Sequence, residues 1–371
     1  EPADGVFDRL FFTDSGDLYG VACGWGCSLY RNEGASWRRG PDPYFLVDVG
    51  PDGTIWQDGG VSDDVMATFP GDGLSRYRDG EWTTWSSADL PEISHGYGLD
   101  QEFIVAPDGS VWFSLWRSQD GSDPREGDHW RWEERVQAVE GGRLVCDGLA
   151  RFDGDALARF LPGKCVSMDI AADGSAWVLA ESDDDYMTDG VIERWFDLYV
   201  ITPEAVAAAT IDQSLPETTE PPAPETTTGL LSDMVTEEVE PGVFRVVNDG
   251  YRDVSHSDDG YSPDEAVMVG DVGDVWRITS PRNLYRLGHE REWDYDPGLV
   301  QIDKDNTEAT ADGRLWTVAA PIEYRVFEDG SWGAPTVEFG QHFEALATQT
   351  DGTVWLLAED PHLRVLRGGD D

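Results

Sequence analysis

Apolar residues along this chain come in short runs, and each run stops at a polar turn. "FLVDVG" at 45–50, "EFIVA" at 102–106, "SMDIA" at 167–171 and "EALAT" at 344–348 are such runs. Each leads into a variant of one hexapeptide: "PDGTIW" at 51–56, "PDGSVW" at 107–112, "ADGSAW" at 172–177 and "TDGTVW" at 350–355, with "ADGRLW" at 311–316 as a further copy. Short β-prone runs joined by Asp-Gly predict a hairpin, because glycine tolerates positive φ and the aspartate side chain caps the turn. The hexapeptide is therefore read as a turn between two strands.

Aligned on the aspartate, the copies fall at Asp14, Asp52, Asp108, Asp173, Asp271, Asp312 and Asp351, spaced by 38, 56, 65, 98, 41 and 39 residues. A second motif follows the first: "LYRNEGASWRR" at 29–39, "LSRYRDGEWTTW" at 74–85, "LARFDGDALARF" at 149–160, "LYRLGHEREWDY" at 284–295 and "YRVFEDGSWGAP" at 324–335 each read as strand, polar glycine turn, strand. Two hairpins in about 40 residues make a four-stranded β-propeller blade. The predicted fold is all-β, a propeller of seven blades of four antiparallel strands, the last incomplete because "LRVLRGGDD" stops before a fourth strand.

"APDGSVWF" at 106–113 together with "RYRDGEWTTW" at 76–85 resembles the extracellular propeller repeats of streptogramin-lyase-like proteins and of bacterial two-component sensors. "MVTEEVEPGVFRVVNDG" at 234–250 is similar to a phrase in actinobacterial repeat proteins. The resemblance implies a propeller and, from the lyase branch, a histidine general base working with a divalent metal on one face.

The tract "SLPETTEPPAPETTTG" is low in apolar residues and rich in Pro, Thr and Glu, a composition that favours an extended, solvated chain. It divides repeats one to four, within 1–212, from repeats five to seven, within 230–371, with 213–229 as linker or insertion. Two arrangements follow: a single interrupted ring, or two partial units. The ring is favoured, since three blades alone would leave two open sheet edges.

Charge narrows the partners. The net charge is -48, with 74 acidic residues against 26 basic ones, and no basic patch is available to displace counterions from a phosphate backbone. Nucleic acid is excluded as a partner on that ground. The acids are spread along the whole chain, as on a surface that keeps molecules apart. No apolar stretch reaches the roughly 20 residues of a membrane span.

The four cysteines, Cys23, Cys27, Cys146 and Cys165, pair by position and are read as disulfides; zinc is the competing reading, without a CxxC knuckle to support it. With the chain beginning at Glu1, this predicts a processed protein that is secreted or anchored at the cell surface.

Candidate chemistry is sparse. Trp56, Trp112, Trp177, Trp276, Trp316 and Trp355 recur at one place after the turn and are assigned to packing between blades. His95, His256 and His342 fall in connections toward an inner strand, where a propeller places its ligand site; they are the candidates for a general base. Asp303 and Asp305 in "DKDNTEATADG" are a weak calcium candidate, lacking the glycine and terminal glutamate spacing of a calcium loop.

The expected function is a non-catalytic extracellular module that binds or senses a protein, a small molecule or a glycan through loops on one face, shaped by the insertions at 113–145 and 181–240. The alternatives are a metal-dependent lyase-like enzyme and an assembly protein that self-associates through its open last edge.

Overall fold

Each apolar run forms a strand that pairs antiparallel with the next in chain order. The computed structural model describes residues 7, 9–23, 27–34, 36–40, 47–58, 73–86, 89–90, 103–118, 144–163, 167–181, 186–188, 191–193, 196–212, 236–246, 266–270, 275–279, 283–286, 307–310, 314–320, 323–328, 331–332, 336–337, 343–348, 353–358 and 363–367. They fall into two compact units, 10–165 with 1–3, and 166–371 with 4–9.

The first unit holds three four-stranded meanders. The first contains β1 (Arg9–Phe12), β2 (Leu18–Cys23), β3 (Cys27–Asn32) and β4 (Trp37–Arg39). The second contains β5 (Val47–Val49), β6 (Ile55–Asp58), β7 (Gly73–Arg78) and β8 (Glu81–Ser86). The third contains β9 (Phe103–Val105), β10 (Val111–Ser118), β11 (Leu144–Phe152) and β12 (Leu157–Phe160).

The second unit starts with β13 (Ser167–Ile170) and β14 (Ala176–Glu181). A separate hairpin follows, β15 (Tyr186–Thr188) with β16 (Val191–Glu193), and then β17 (Phe196–Ile201), helix α1 (Pro203–Asp212), β18 (Thr236–Glu240) and β19 (Val243–Val246). The next sheets are β20 (Ala266–Val269), β21 (Val275–Thr279) and β22 (Asn283–Arg286), then β23 (Thr307–Ala309), β24 (Leu315–Ala320), β25 (Glu323–Glu328), β26 (Ser331–Trp332) and β27 (Thr336–Val337). The last is β28 (Phe343–Thr348), β29 (Thr353–Ala358) and β30 (Leu363–Arg367), three strands among the described residues. The chain is all-β, and its repeated sheet is the propeller blade, in chain order from inner to outer strand.

The fourth sheet departs from the expected division. Its order is β13-β14-β17-β19-β18, so residues 236–246 complete the fourth sheet and do not open the fifth. In chain order the Pro/Thr/Glu tract thus falls between the third strand of this sheet and the hairpin that finishes it. The junction is tight. Thr202 caps α1 by accepting from Ala205 N–H at 3.3 Å, and its own N–H donates to Gly242 O at 3.0 Å. Gly242 has φ +72°, and a Cβ there would lie 2.7 Å from the Ala205 Cβ.

The Asp-Gly turns share one geometry. Gly53, Gly109 and Gly174 have φ of 81°, 80° and 86°, and their N–H groups donate to the carbonyls of Gly50, Ala106 and Ala171 at 2.9 Å. Gly16 has φ 81° and donates to Thr13 O at 2.8 Å. That match places Ser15, not Asp14, at the aspartate position of the first copy; Asp14 takes the place of Pro51. The alignment on Asp14 is corrected by one residue.

Neighbouring sheets pack through apolar faces. Val21 and Leu29 of the first sheet meet Val47, Val49 and Ile55 of the second, and Trp56 and Leu74 meet Phe103, Val105, Val111 and Phe113 of the third. In the second unit Trp177, Leu179, Leu198 and Val200 cluster with Val246, Val267 and Val275, and Trp316 packs on Leu346, Val354 and Leu356.

Candidate functional site

In the second, third and fourth sheets the Asp-Gly turn is closed by its own side chains. Asp52 accepts from the Thr54 N–H at 2.8 Å and from its hydroxyl at 2.9 Å. Asp108 and Asp173 each accept from the N–H at 2.9 Å and the hydroxyl at 2.6 Å of Ser110 and Ser175. An arginine on the third strand completes the cap, with Arg151 donating to Asp108 at 2.7 Å and Arg78 lying 3.6 Å from Asp52. In the first sheet Arg31 reaches Asp17 at 2.8 Å instead. The turns also meet each other: Asp14 N–H donates to Pro51 O at 2.7 Å, and the Trp56 indole N–H donates to Gly109 O at 2.9 Å.

The paired arginine holds the Asp17 carboxyl below the ordinary range. Burial pushes the Asp108 carboxyl up, but the Ser110 hydroxyl and N–H and Arg151 outweigh it, and the net direction is down. A carboxylate whose folded pKa is depressed contributes stability above its unfolded pKa of about 3.9, and that contribution is lost as pH falls through the lower folded value. The urea midpoint of the first unit is therefore expected to be level from about pH 7 to 5 and to drop below about pH 4, with a shallower drop in Asp108→Asn.

In the first unit the opposite end carries the long connections. Antiparallel order makes the second strand of each sheet run away from its Asp-Gly turn, so the link to the third strand, and the link from the fourth strand to the next sheet, both leave from the far end. The connections 59–72, 87–102 and 119–143 of the first unit all depart there, while its turn end has only short hairpins. In the second unit the β15–β16 hairpin and 247–265 do the same, whereas the segments that follow β17 and β22 leave from the turn end. There the inner strands lie side by side in one direction, since Val267 N–H donates to Ser167 Oγ at 3.2 Å and Val269 N–H to Asp169 at 2.7 Å.

Every histidine lies outside the described residues. The strands flanking His95, His129, His256, His342 and His362 end at the loop-bearing end of their sheets, whereas His289 follows β22, whose end is at the turn side. Asp303, Asp305 and Cys165 also lie outside the described residues, as do Asp271, Asp312 and Asp351. Cys23 faces Cys27 in register across β2 and β3, and Cys146 pairs with Trp116. Among the described residues no three His, Cys, Asp or Glu side chains converge as a metal site.

The tryptophans are placed as follows. Trp56, Trp112, Trp177, Trp276 and Trp316 are buried and Trp355 is half-buried. Trp56 stacks on Trp85 at 5.5 Å, with Phe152 edge-on at 5.8 Å, and the Arg76 guanidinium lies over both indoles at 5.4 and 5.3 Å. Arg76 continues to the third sheet, donating to Asp153 O at 2.8 Å.

Two residues escaped the sequence reading. Asp48 accepts from its neighbour Val49 N–H at 2.9 Å and from Val105 N–H of the next inner strand at 2.7 Å. Asp169 repeats this with Ile170 at 2.8 Å and Val269 at 2.7 Å. Both stand opposite the hexapeptide tryptophan, where other sheets have Ile104, Met268, Glu308 and Ala347. A charged residue inside the apolar runs "FLVDVG" and "SMDIA" was the available signal.

Gln57 is the reverse case. It is buried between β5 and β7, and neither atom of its amide has a hydrogen-bond partner among the described residues. A buried unpaired polar group costs about 1–3 kcal/mol, so Gln57→Met is expected to raise stability by about 1 kcal/mol or more in chemical denaturation.

The sheets define a protein of the β-propeller class. No protein-family description and no curated relative matches the chain. Among solved structures it is similar to the extracellular domain of the hybrid two-component system BT3049 from B. thetaiotaomicron, with 10% identity, TM-score 0.45, 99% of this chain and 39% of that one covered. It is also similar to the WD40 β-propeller domain of Doa1 (9% identity, TM-score 0.44, 100% and 95% covered) and to YCF48 from Cyanidioschyzon merolae (11%, 0.45, 100% and 98%). The chain spans about two-fifths of the first of these. Among the described residues no helix is long and apolar enough to cross a membrane.

Proposed function

We propose that this chain is a binding or sensing module that works outside the cytoplasm and engages its ligand at the end opposite the Asp-Gly turns. The observation that carries this is the asymmetry of the first unit's sheets. One end is closed by short turns, with the Asp52 and Asp108 carboxylates satisfied by Thr54, Ser110 and Arg151, while the connections 59–72, 87–102 and 119–143 leave from the other. Long connections held on a rigid scaffold are where propeller-like folds carry recognition. The ligand class is a protein, a small molecule or a glycan; the acidic surface disfavours nucleic acid.

The test is a thermal-shift panel on the full chain with neutral and cationic oligosaccharides, basic peptides and divalent cations. The expected result is a saturable rise in melting temperature with one class, because a ligand that binds only the folded state stabilises it by mass action. A flat panel, at concentrations up to the millimolar range, counts against the proposal.

A second reading, a metal-dependent lyase-like enzyme using His95, His256 or His342 as base, rests on the position of these histidines in the chain, in connections that precede inner strands. A lyase activity that needs a divalent cation and is lost in one of the three alanine variants would favour it over the binding module.

A further inference from the structure

A pair of cysteines stands apart from the proposed binding function. Cys23 ends β2 and Cys27 begins β3, and the two are directly opposed in the antiparallel register that runs back through Ala22↔Ser28 and Val21↔Leu29 to Tyr19↔Arg31. Directly opposed positions share a face, with Cα atoms about 4.5–5.5 Å apart. A disulfide spans Cα separations of about 4.4–6.8 Å, a range that contains the spacing of directly opposed positions.

The same register says what such a bond would not do. It would close a loop of only five residues, and a short loop removes little entropy from the unfolded chain. The hairpin is also held by its ladder and by the strands on either side, β1 and β4. Breaking the bond therefore leaves the sheet in place.

We propose that Cys23 and Cys27 form a reversible dithiol–disulfide couple that exchanges with low-molecular-weight disulfides while the first sheet stays folded. In the oxidising direction one cysteine thiolate attacks a glutathione disulfide, forming a mixed disulfide and releasing one glutathione thiolate. The second cysteine thiolate then attacks the protein sulfur of that mixed disulfide, forming the Cys23–Cys27 bond and releasing the second glutathione. Two cysteine thiols lose two protons and two electrons, and one glutathione disulfide becomes two glutathione thiols.

The experiment equilibrates the full chain in glutathione buffers of graded ratio, blocks free thiols with iodoacetamide and maps the peptides by mass spectrometry. The expected result is a Cys23–Cys27 crosslinked peptide that converts to two blocked thiols through a single titration. The strand signal in circular dichroism should not change, and the melting temperature should fall by at most about 8 °C. A Cys23→Ser, Cys27→Ser double variant should fold like the reduced protein. The proposal is overturned if both thiols stay free in pure glutathione disulfide, if either pairs with Cys146 or Cys165, or if reduction unfolds the sheet. These outcomes do not depend on any ligand, so they leave the binding proposal untouched.

Discussion

Asp48→Ala is expected to lower the unfolding free energy of the first unit by about 3 kcal/mol. The carboxylate satisfies two backbone donors, Val49 N–H in its own strand and Val105 N–H in the next sheet, and it is itself buried. Alanine removes the acceptor from both donors, and an unmet buried donor costs more than a hydrogen bond contributes when made. Asp48→Asn keeps one acceptor and should fall between wild type and alanine. The same change at Asp169 should weaken the second unit and leave the first alone, since each staple lies within its own unit. Denaturant melts followed by hydrogen exchange in each unit separate the two effects. Equal loss in both units from one substitution would contradict the assignment.

Trp56→Ala should cost about 3–5 kcal/mol, the range for a large aromatic removed from a core. Its ring is fully buried among Leu74, Phe103, Val105 and Phe152, it stacks on Trp85, and its N–H crosses to Gly109 of the next sheet. Trp56→Phe keeps most of the apolar area but leaves the Gly109 carbonyl without this donor, so a smaller loss of about 1–2 kcal/mol is expected. Trp85, half-buried on the outer strand, should be more forgiving when replaced. Chemical denaturation of the three variants orders them; a Trp56→Ala loss below about 1 kcal/mol would mean that the sheets do not depend on this contact.

Much of the blade was legible because its rule is local. Asp and Gly at a tight turn, an apolar run before and an aromatic after, determine one hairpin without help from the rest of the chain. What was misread is what depends on partners distant in sequence. The first copy was aligned on Asp14, because Asp-Ser-Gly contains an aspartate; the hydrogen bonds put Ser15 at that position and hand the arginine contact to Asp17. The Pro/Thr/Glu tract suggested a boundary, yet β19 pairs with β17 across it through Tyr199↔Arg245, Val200↔Phe244 and Ile201↔Val243. Composition marks where a chain leaves a sheet and says nothing of where it returns. Asp48 was passed over because an aspartate in an acidic chain looks ordinary until its second acceptor is seen to serve another sheet.

The candidate site was legible only as topology. The sequence placed His95, His256 and His342 before inner strands, and the strand order assigns those connections to one end of their sheets. All three histidines lie outside the described residues, and no spacing in the chain specifies which side chains come near one another, because each comes from a different repeat.

The most direct test of the binding proposal is hydrogen exchange of the full chain with and without the panel ligand that gives the largest thermal shift. The account predicts protection in peptides at the loop-bearing strand ends, around Gln57–Asp58, Gly73–Leu74 and Leu144–Val145, with the turn peptides around Gly53, Gly109 and Gly174 unchanged. Protection confined to those turns, with the opposite ends unchanged, would contradict it.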